Sequence, residues 1–205
     1  SSASIEKMYH FDFNYGLQKI AFLSSFSKSE FGHLTMGKNG PSDYLRPNYV
    51  GFNDAGEDIL IQNPNSRVQR NTAYDQINFM QKIFYQPIEN LNIDVGIHFS
   101  KSSNIPRYDR LIRNDENKVI IGGGQGLYYS EWYYGPQEWL LINSQFTYNP
   151  KSKKIYDELK FGVAYQKFSE SRNSRKFNEI YLNSREEELD IFSFNLDFFK
   201  NISSN

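Results

Sequence analysis

Cysteine is absent from the 205 residues, which excludes disulfides, thiolate metal sites and a cysteine nucleophile while leaving the compartment undecided. A basic excess is also lacking, since 23 Lys and Arg stand against 24 Asp and Glu. With no surplus positive charge to neutralise phosphates, nucleic acid is not expected as a partner. No window approaches the roughly 20 consecutive apolar residues of a membrane helix. The apolar clusters are short, as in Ile20-Ala21-Phe22-Leu23. The opening residues Ser1 to Glu6 hold neither the basic nor the apolar part of a signal peptide. Either a leader has been removed, or the sequence begins inside a longer protein.

Helical periodicity is nearly missing too, and a period of two takes its place. Leu91, Ile93, Val95, Ile97 and Phe99 alternate with Asn92, Asp94, Gly96, His98 and Ser100. Tyr9, Phe11, Phe13 and Tyr15 alternate with His10, Asp12, Asn14 and Gly16. The same pattern holds for Leu159, Phe161, Val163 and Tyr165, and for Phe192, Phe194, Leu196 and Phe198. Ile77, Phe79, Ile83 and Tyr85 follow it with Gln81 interrupting. None of these five faces carries a charge. Aromatics reach 17%, yet mean hydropathy is −0.67. Such a mixture is expected of strands with one apolar and one polar face, as in a transmembrane β-barrel.

Seven long strands are predicted, over 5–14, 18–36, 72–86, 91–103, 138–149, 156–172 and 185–199. Their links alternate. Tyr15-Gly16-Leu17, Pro87 to Asn90 and Asn149 to Lys154 are short, whereas 37–71, 104–137 and 173–184 are longer. Short turns at one end and long loops at the other mark an outer-membrane barrel, whose short turns are periplasmic. The fold expected is therefore all-β, an antiparallel barrel segment filling 1–205 with long extracellular loops.

Several segments resemble TonB-dependent receptors of the type found in Bacteroidetes. They are Gly37-Lys-Asn-Gly-Pro-Ser-Asp-Tyr-Leu-Arg-Pro47-Asn-Tyr-Val50, Tyr74-Asp-Gln-Ile-Asn-Phe-Met-Gln-Lys82, Ile105-Pro-Arg-Tyr-Asp-Arg-Leu111, Glu131-Trp-Tyr-Tyr-Gly-Pro-Gln137 and Ala164-Tyr-Gln-Lys-Phe-Ser-Glu-Ser-Arg-Asn-Ser-Arg175. The resemblance implies a plugged barrel of 22 strands that imports a scarce nutrient such as siderophore-iron or cobalamin. It implies outer-membrane lipid and lipopolysaccharide as surroundings, TonB acting through a plug region, and for glycan importers a surface lipoprotein. No plug, TonB box or aromatic-ended final strand is identified here, so an internal fragment starting near the first extracellular loop is expected. A smaller porin, adhesin or membrane enzyme is the alternative. A soluble lipocalin-like binder fits poorly, because link 37–71 is too long for one.

For ligand contact the candidates are Arg107, Tyr108, Asp109, Trp132, Tyr133 and Tyr134, in a loop that also holds Arg110, Arg113, Tyr128 and Tyr129. Aromatics supply rigid contact area and arginines suit carboxylate-bearing ligands, although an aromatic girdle at the outer interface or loop packing is the more ordinary reading of the same residues. Gly122-Gly-Gly-Gln-Gly126 lacks the Lys-Ser/Thr of a phosphate loop, and Asn53 to Asp58 reads as a polar turn rather than a calcium loop. His10, His33 and His98 are scattered, so no metal site or catalytic triad is expected, and no cofactor. Glu186, Glu187, Glu188 and Asp190 read as a solvated junction.

Overall fold

The computed structural model describes residues 5–119 and 125–202. Seven long strands run as an antiparallel meander: β1 Glu6–Gly16, β2 Ile20–Phe31, β3 Tyr74–Ile88, β4 Leu91–Ser102, β5 Glu138–Tyr148, β6 Glu158–Lys176 and β7 Asn183–Phe199. Each pairs with its chain neighbour, and the short strands Tyr129–Tyr134 and Ile105–Pro106 complete a nine-stranded sheet. The strands are longer than the usual 5–6 residues of soluble sheets. β6 is long enough to hold two partners end to end on one edge. Its residues 159–169 pair with β5, and 172–176 pair with Tyr129–Tyr134. Between those partners the chain kinks at Gly135, whose φ of 108° suits glycine. A Cβ there would also press on the Ser103 carbonyl at 3.1 Å.

Directly paired residues share a face, so the registers test whether the five alternating stripes belong together. They do. One row across the sheet reads Tyr15, Phe22, Ile83, Val95, Ser144, Val163, Phe194, and the next reads Phe13, Ser24, Gln81, Ile97, Ile142, Tyr165, Phe192. β2 and β5 join the same band with Ile20, Phe22 and Phe26, and with Leu140, Ile142 and Phe146. These two strands are masked in the sequence because Leu23 and Leu141 put apolar groups on the other face as well.

The few polar side chains within the band are answered locally. The Ser24 hydroxyl bonds Gln81 Oε1 at 2.5 Å, Gln81 Nε2 donates to the Lys82 carbonyl, and the Ser144 hydroxyl donates to the Asp94 carbonyl. At the long-loop end charge appears abruptly, with Lys28–Glu30, Lys101–Glu138 and Lys167–Glu188 ion pairs. Along β4 the band covers Leu91 to Phe99, about 27 Å at roughly 3.4 Å per residue. Across seven strands spaced about 4.8 Å apart it is about 29 Å wide, so it covers roughly 800 Å². It lies open even on the inner strands, where Phe79, Ile142 and Phe161 are 40%, 41% and 40% exposed, and more so on the edge strands.

The opposite face carries a groove of about 550 Å³ lined by Asn14, Lys82, Asp94, His98, Asn143 and Gln145 among others. The groove is mixed rather than purely polar, since Leu23, Phe84 and Leu141 also line it, and Met80 and Trp139 share its face by strand alternation. β1 and β7 each have one strand neighbour, so the sheet is open among the described residues.

Two expectations need correction. The segment 173–184 is not a loop, because β6 runs on to Lys176 and β7 begins at Asn183. That outer link is shorter than the 149–157 link between β5 and β6 at the opposite end. The asymmetry therefore rests on the links 32–73 and 103–137 alone. The predicted strand 18–36 also stops at Phe31, and Leu34–Thr35 turns away to pair with Val68–Gln69.

Candidate functional site

At the long-loop end, links 32–73 and 103–137 fold against each other and against the tip of the β6–β7 hairpin. Link 32–73 contains the Ser42–Tyr44 turn and a hairpin of Asn48–Phe52 with Asp58–Gln62. Its interior is polar. Asn63 Nδ2 donates to the Arg46 and Val68 carbonyls at 2.8 Å each, and Arg67 donates twice to the Met36 carbonyl. The Thr72 hydroxyl donates to the Gln69 carbonyl and accepts from Leu34 N–H. Side-chain hydrogen bonds thus satisfy backbone groups that no ladder serves. The apolar part is small: Val50, Leu127 and Phe177 are buried with Leu60 against them, one cluster drawn from both links and the hairpin tip.

The sequence candidates divide into three groups. Arg107, Asp109, Trp132 and Tyr134 come together. The Arg107 guanidinium forks onto Asp109 at 2.8 and 2.7 Å and donates to the Tyr134 hydroxyl at 3.0 Å, while lying 4.9 Å from the centre of the Trp132 ring. Trp132 and Tyr134 meet edge to face at 5.0 Å, with Arg172 over Tyr134 from β6. Their partners Ser174 and Arg172 place this stack on the groove-bearing face. Asp109 raises the Arg107 pKa further, and Arg107 holds the Asp109 carboxyl below the usual range. Tyr133 points the other way, with Glu131 and Asn173, and burial raises its phenol pKa. Tyr108 leaves the group altogether. It opens the helix Tyr108–Leu111 and hydrogen-bonds the Tyr44 carbonyl of the first link.

Arg175 is a node that the sequence reading did not single out. It donates to Asp58 through Nη1 and Nη2 at 2.9 and 2.8 Å, to Glu131 at 2.7 Å and to the Glu179 carbonyl at 2.8 Å. The Asp58 side chain is fully buried, so this pair clamps the first link to β6. Asn53 to Asp58 is a polar turn as expected: Asn53 Oδ1 accepts from the N–H groups of Ala55 and Glu57, and Gly56 takes φ 78°.

The scattered histidines are less isolated than expected. His10 Nδ1 lies 2.7 Å from the Ser27 hydroxyl and Nε2 lies 2.8 Å from Asp12, a serine–histidine–aspartate chain. His10 faces Ser27 directly across the β1–β2 ladder and sits two residues from Asp12. The contacts therefore follow from strand pairing, and His10 and Asp12 stand half in solvent, without the water exclusion that acyl-transfer sites use. In the glycine-rich run, 122–124 lie outside the described residues. Glu186, Glu187 and Glu188 belong to β7, with Glu187 near Arg172 and Glu188 near Lys167.

Compared with protein-family models, curated proteins and solved structures, the chain matches none.

Proposed function

We propose that this chain is part of the wall of an outer-membrane β-barrel, of the kind TonB-dependent receptors use to import a scarce nutrient. One observation carries the reading: the apolar stripes of seven strands fuse into a single uncharged band on one face. Roughly 800 Å² exceeds the 300–600 Å² of the largest apolar patch on a typical soluble monomer. Tilted by about 40°, as barrel strands are, a band about 27 Å long stands roughly 21 Å tall, close to the apolar belt of outer-membrane barrels. Both edges support closure by further strands, because unpaired backbone groups of β1 and β7 would cost several kcal/mol each in hydrocarbon. The folded links then form the outer rim, and the Arg107–Trp132–Tyr134 stack overlooks the lumen where a nutrient would pass. A smaller barrel is the alternative, separated from this reading by the number of strands needed to close.

No cysteine of this chain competes for a thiol label, and any cysteine elsewhere in the receptor is replaced by serine. Single variants Ile97→Cys and His98→Cys of the full receptor are labelled with bimane and reconstituted in phospholipid. The label at 97 should be quenched by brominated acyl chains, and the label at 98 by aqueous iodide. Equal iodide quenching at both positions refutes the membrane-facing band.

A further inference from the structure

Within the polar interior of link 32–73 the most deeply buried charge is Arg46, 2% exposed. Among the described residues no carboxylate forms an ion pair with it. Its backbone is fixed on both sides, the N–H donating to the Ser66 carbonyl at 2.7 Å and the carbonyl accepting from Asn63 at 2.8 Å. The guanidinium has five donors. Nη1 donates to the Arg70 carbonyl, whereas Nε is buried without a partner. Two neighbours share the deficiency: Gln69 Oε1 and Arg70 Nε are also buried and unpaired. Three unanswered polar atoms in one small interior are far from the rule that buried polar groups find partners.

The surroundings are cationic. Arg46 and Arg70 both act on His33, which burial, foremost, and these two charges keep below its ordinary pKa. Its Nδ1 accepts from Thr72 N–H at 3.3 Å, so the ring is held neutral at that nitrogen. Burial pulls the Arg46 pKa down to about 10, with the Tyr108 phenol opposing it in part. Tyr108 reaches the cluster from the second link, bonded to the Tyr44 carbonyl that Gln69 Nε2 also uses at 2.8 Å and close enough to act on the Arg46 charge. A buried guanidinium without an acid is costly to maintain unless an anion completes it.

We propose that Arg46 and Arg70, beneath Tyr108, form a binding site for an oxyanion, a carboxylate or phosphate group. Arg46 supplies the charge and its unused Nε–H, and Arg70 supplies a second guanidinium. Gln69 Oε1 accepts from a protonated anion oxygen or from a water carried in with it. Tyr108 is the cover, so binding requires the two long links to part there. The site stands on the loop assembly alone and holds whether or not the sheet lies in a membrane. Joined to the barrel reading it assigns the imported nutrient an anionic group, and that extension rests on that reading.

The test is isothermal titration of the detergent-solubilised full receptor with inorganic phosphate and, separately, with citrate, at ionic strength matched by chloride. The result expected is saturable binding of one or both, which also decides between phosphate and carboxylate. Arg46→Gln and Arg70→Gln should each weaken it at least tenfold. Arg67→Gln, a change in the same link at a guanidinium already satisfied by Met36, should leave it within twofold. Should Arg46→Gln fail to fold, the half-buried Arg70 variant still reads the site. No saturable signal for either anion overturns the proposal and leaves trapped water as the occupant, as does equal weakening in the Arg67 variant. The bimane result at 97 and 98 is independent of every one of these outcomes.

Discussion

Val95 is the middle residue of the β4 stripe, with Ile83 on one side and Ser144 on the other. Replacing it with Arg puts a guanidinium at the centre of the band, four residues from either end of the Leu91–Phe99 run. At a bilayer midplane that costs about 2–4 kcal/mol. At about 1.4 kcal/mol per tenfold, the folded-to-unfolded ratio in lipid falls by roughly 30- to 700-fold. Snorkelling along the strand relieves little, because about 13 Å separates Val95 from each margin at roughly 3.4 Å per residue. Asp94→Arg changes the same strand by a larger charge difference but on the opposite face, opposite Gln145 and Phe84, where water and polar neighbours accept it. The assay is urea unfolding of the full receptor in phospholipid vesicles, followed by the heat-dependent gel shift of folded barrels. Val95→Arg should lower the folded fraction at every urea concentration, while Asp94→Arg should track the parent within about 1 kcal/mol, as surface substitutions do. Without a bilayer the difference should shrink, because no hydrocarbon then surrounds the guanidinium at 95. If Val95→Arg is tolerated as well as Asp94→Arg, the face assignment is wrong and the outer-membrane reading goes with it.

Two further outcomes follow from the loop assembly. Arg175→Gln leaves the Asp58 carboxylate buried without its guanidinium, and breaking a buried pair from one side costs about 3–5 kcal/mol. Limited proteolysis should then cut within 32–73 far faster than in the parent, and unchanged cleavage would show that the clamp is not what holds the link down. His33 has a pKa depressed by burial and by Arg70 and Arg46, so the unfolded link binds its proton more readily than the folded one. The stability this gives is fully present above the ordinary value of 6.5 and is lost as pH falls from there through the depressed value. The protection of the Thr72 amide, its exchange rate relative to the intrinsic rate at each pH, should fall between pH 7.5 and 5.5, and His33→Gln should flatten that dependence. Protection that rises on acidification refutes the sign.

The seven strands were legible because their side chains alternate, and alternation survives wherever one face is kept uncharged. β4 is the clean case: every odd residue from Leu91 to Phe99 lies on the band. β2 and β5 are readable as strands but not by face, since Leu23 and Leu141 place apolar groups on the groove side beside Phe22 and Ile142. The hairpin tip was misread because Asn173, Ser174 and Arg175 resemble loop composition. They continue β6 because a polar strand is stable once it leaves the band and finds partners such as Trp132 and Glu131. The site was legible only in part. Arg107, Trp132 and Tyr134 were found because aromatics cluster locally in the chain. Arg46, Asp58 and Arg175 were missed because their meaning lies in pairs as far apart as 117 residues, for which one sequence gives no signal.

The two halves of the molecule solve opposite solvation problems with the same chain. In the sheet the backbone is satisfied by its ladder, which frees the outward side chains to be wholly apolar. Even the intruders Ser24 and Gln81 bond to each other rather than to solvent. Beyond the charged rows only short ladders serve the long links, so Asn63, Arg67, Gln69 and Thr72 turn inward to serve the carbonyls and amides left over. That leaves little interior volume for apolar groups and strands the Arg46 charge inside. An aqueous β-sandwich would hide the phenylalanines and expose the arginines, whereas here Phe194 is 76% exposed and Arg46 is 2% exposed. Such an inversion is what the two proposals account for, the phenylalanines meeting something less polar than water and the arginine something negative. The membrane and the oxyanion are therefore two answers to one question, each open to its own experiment.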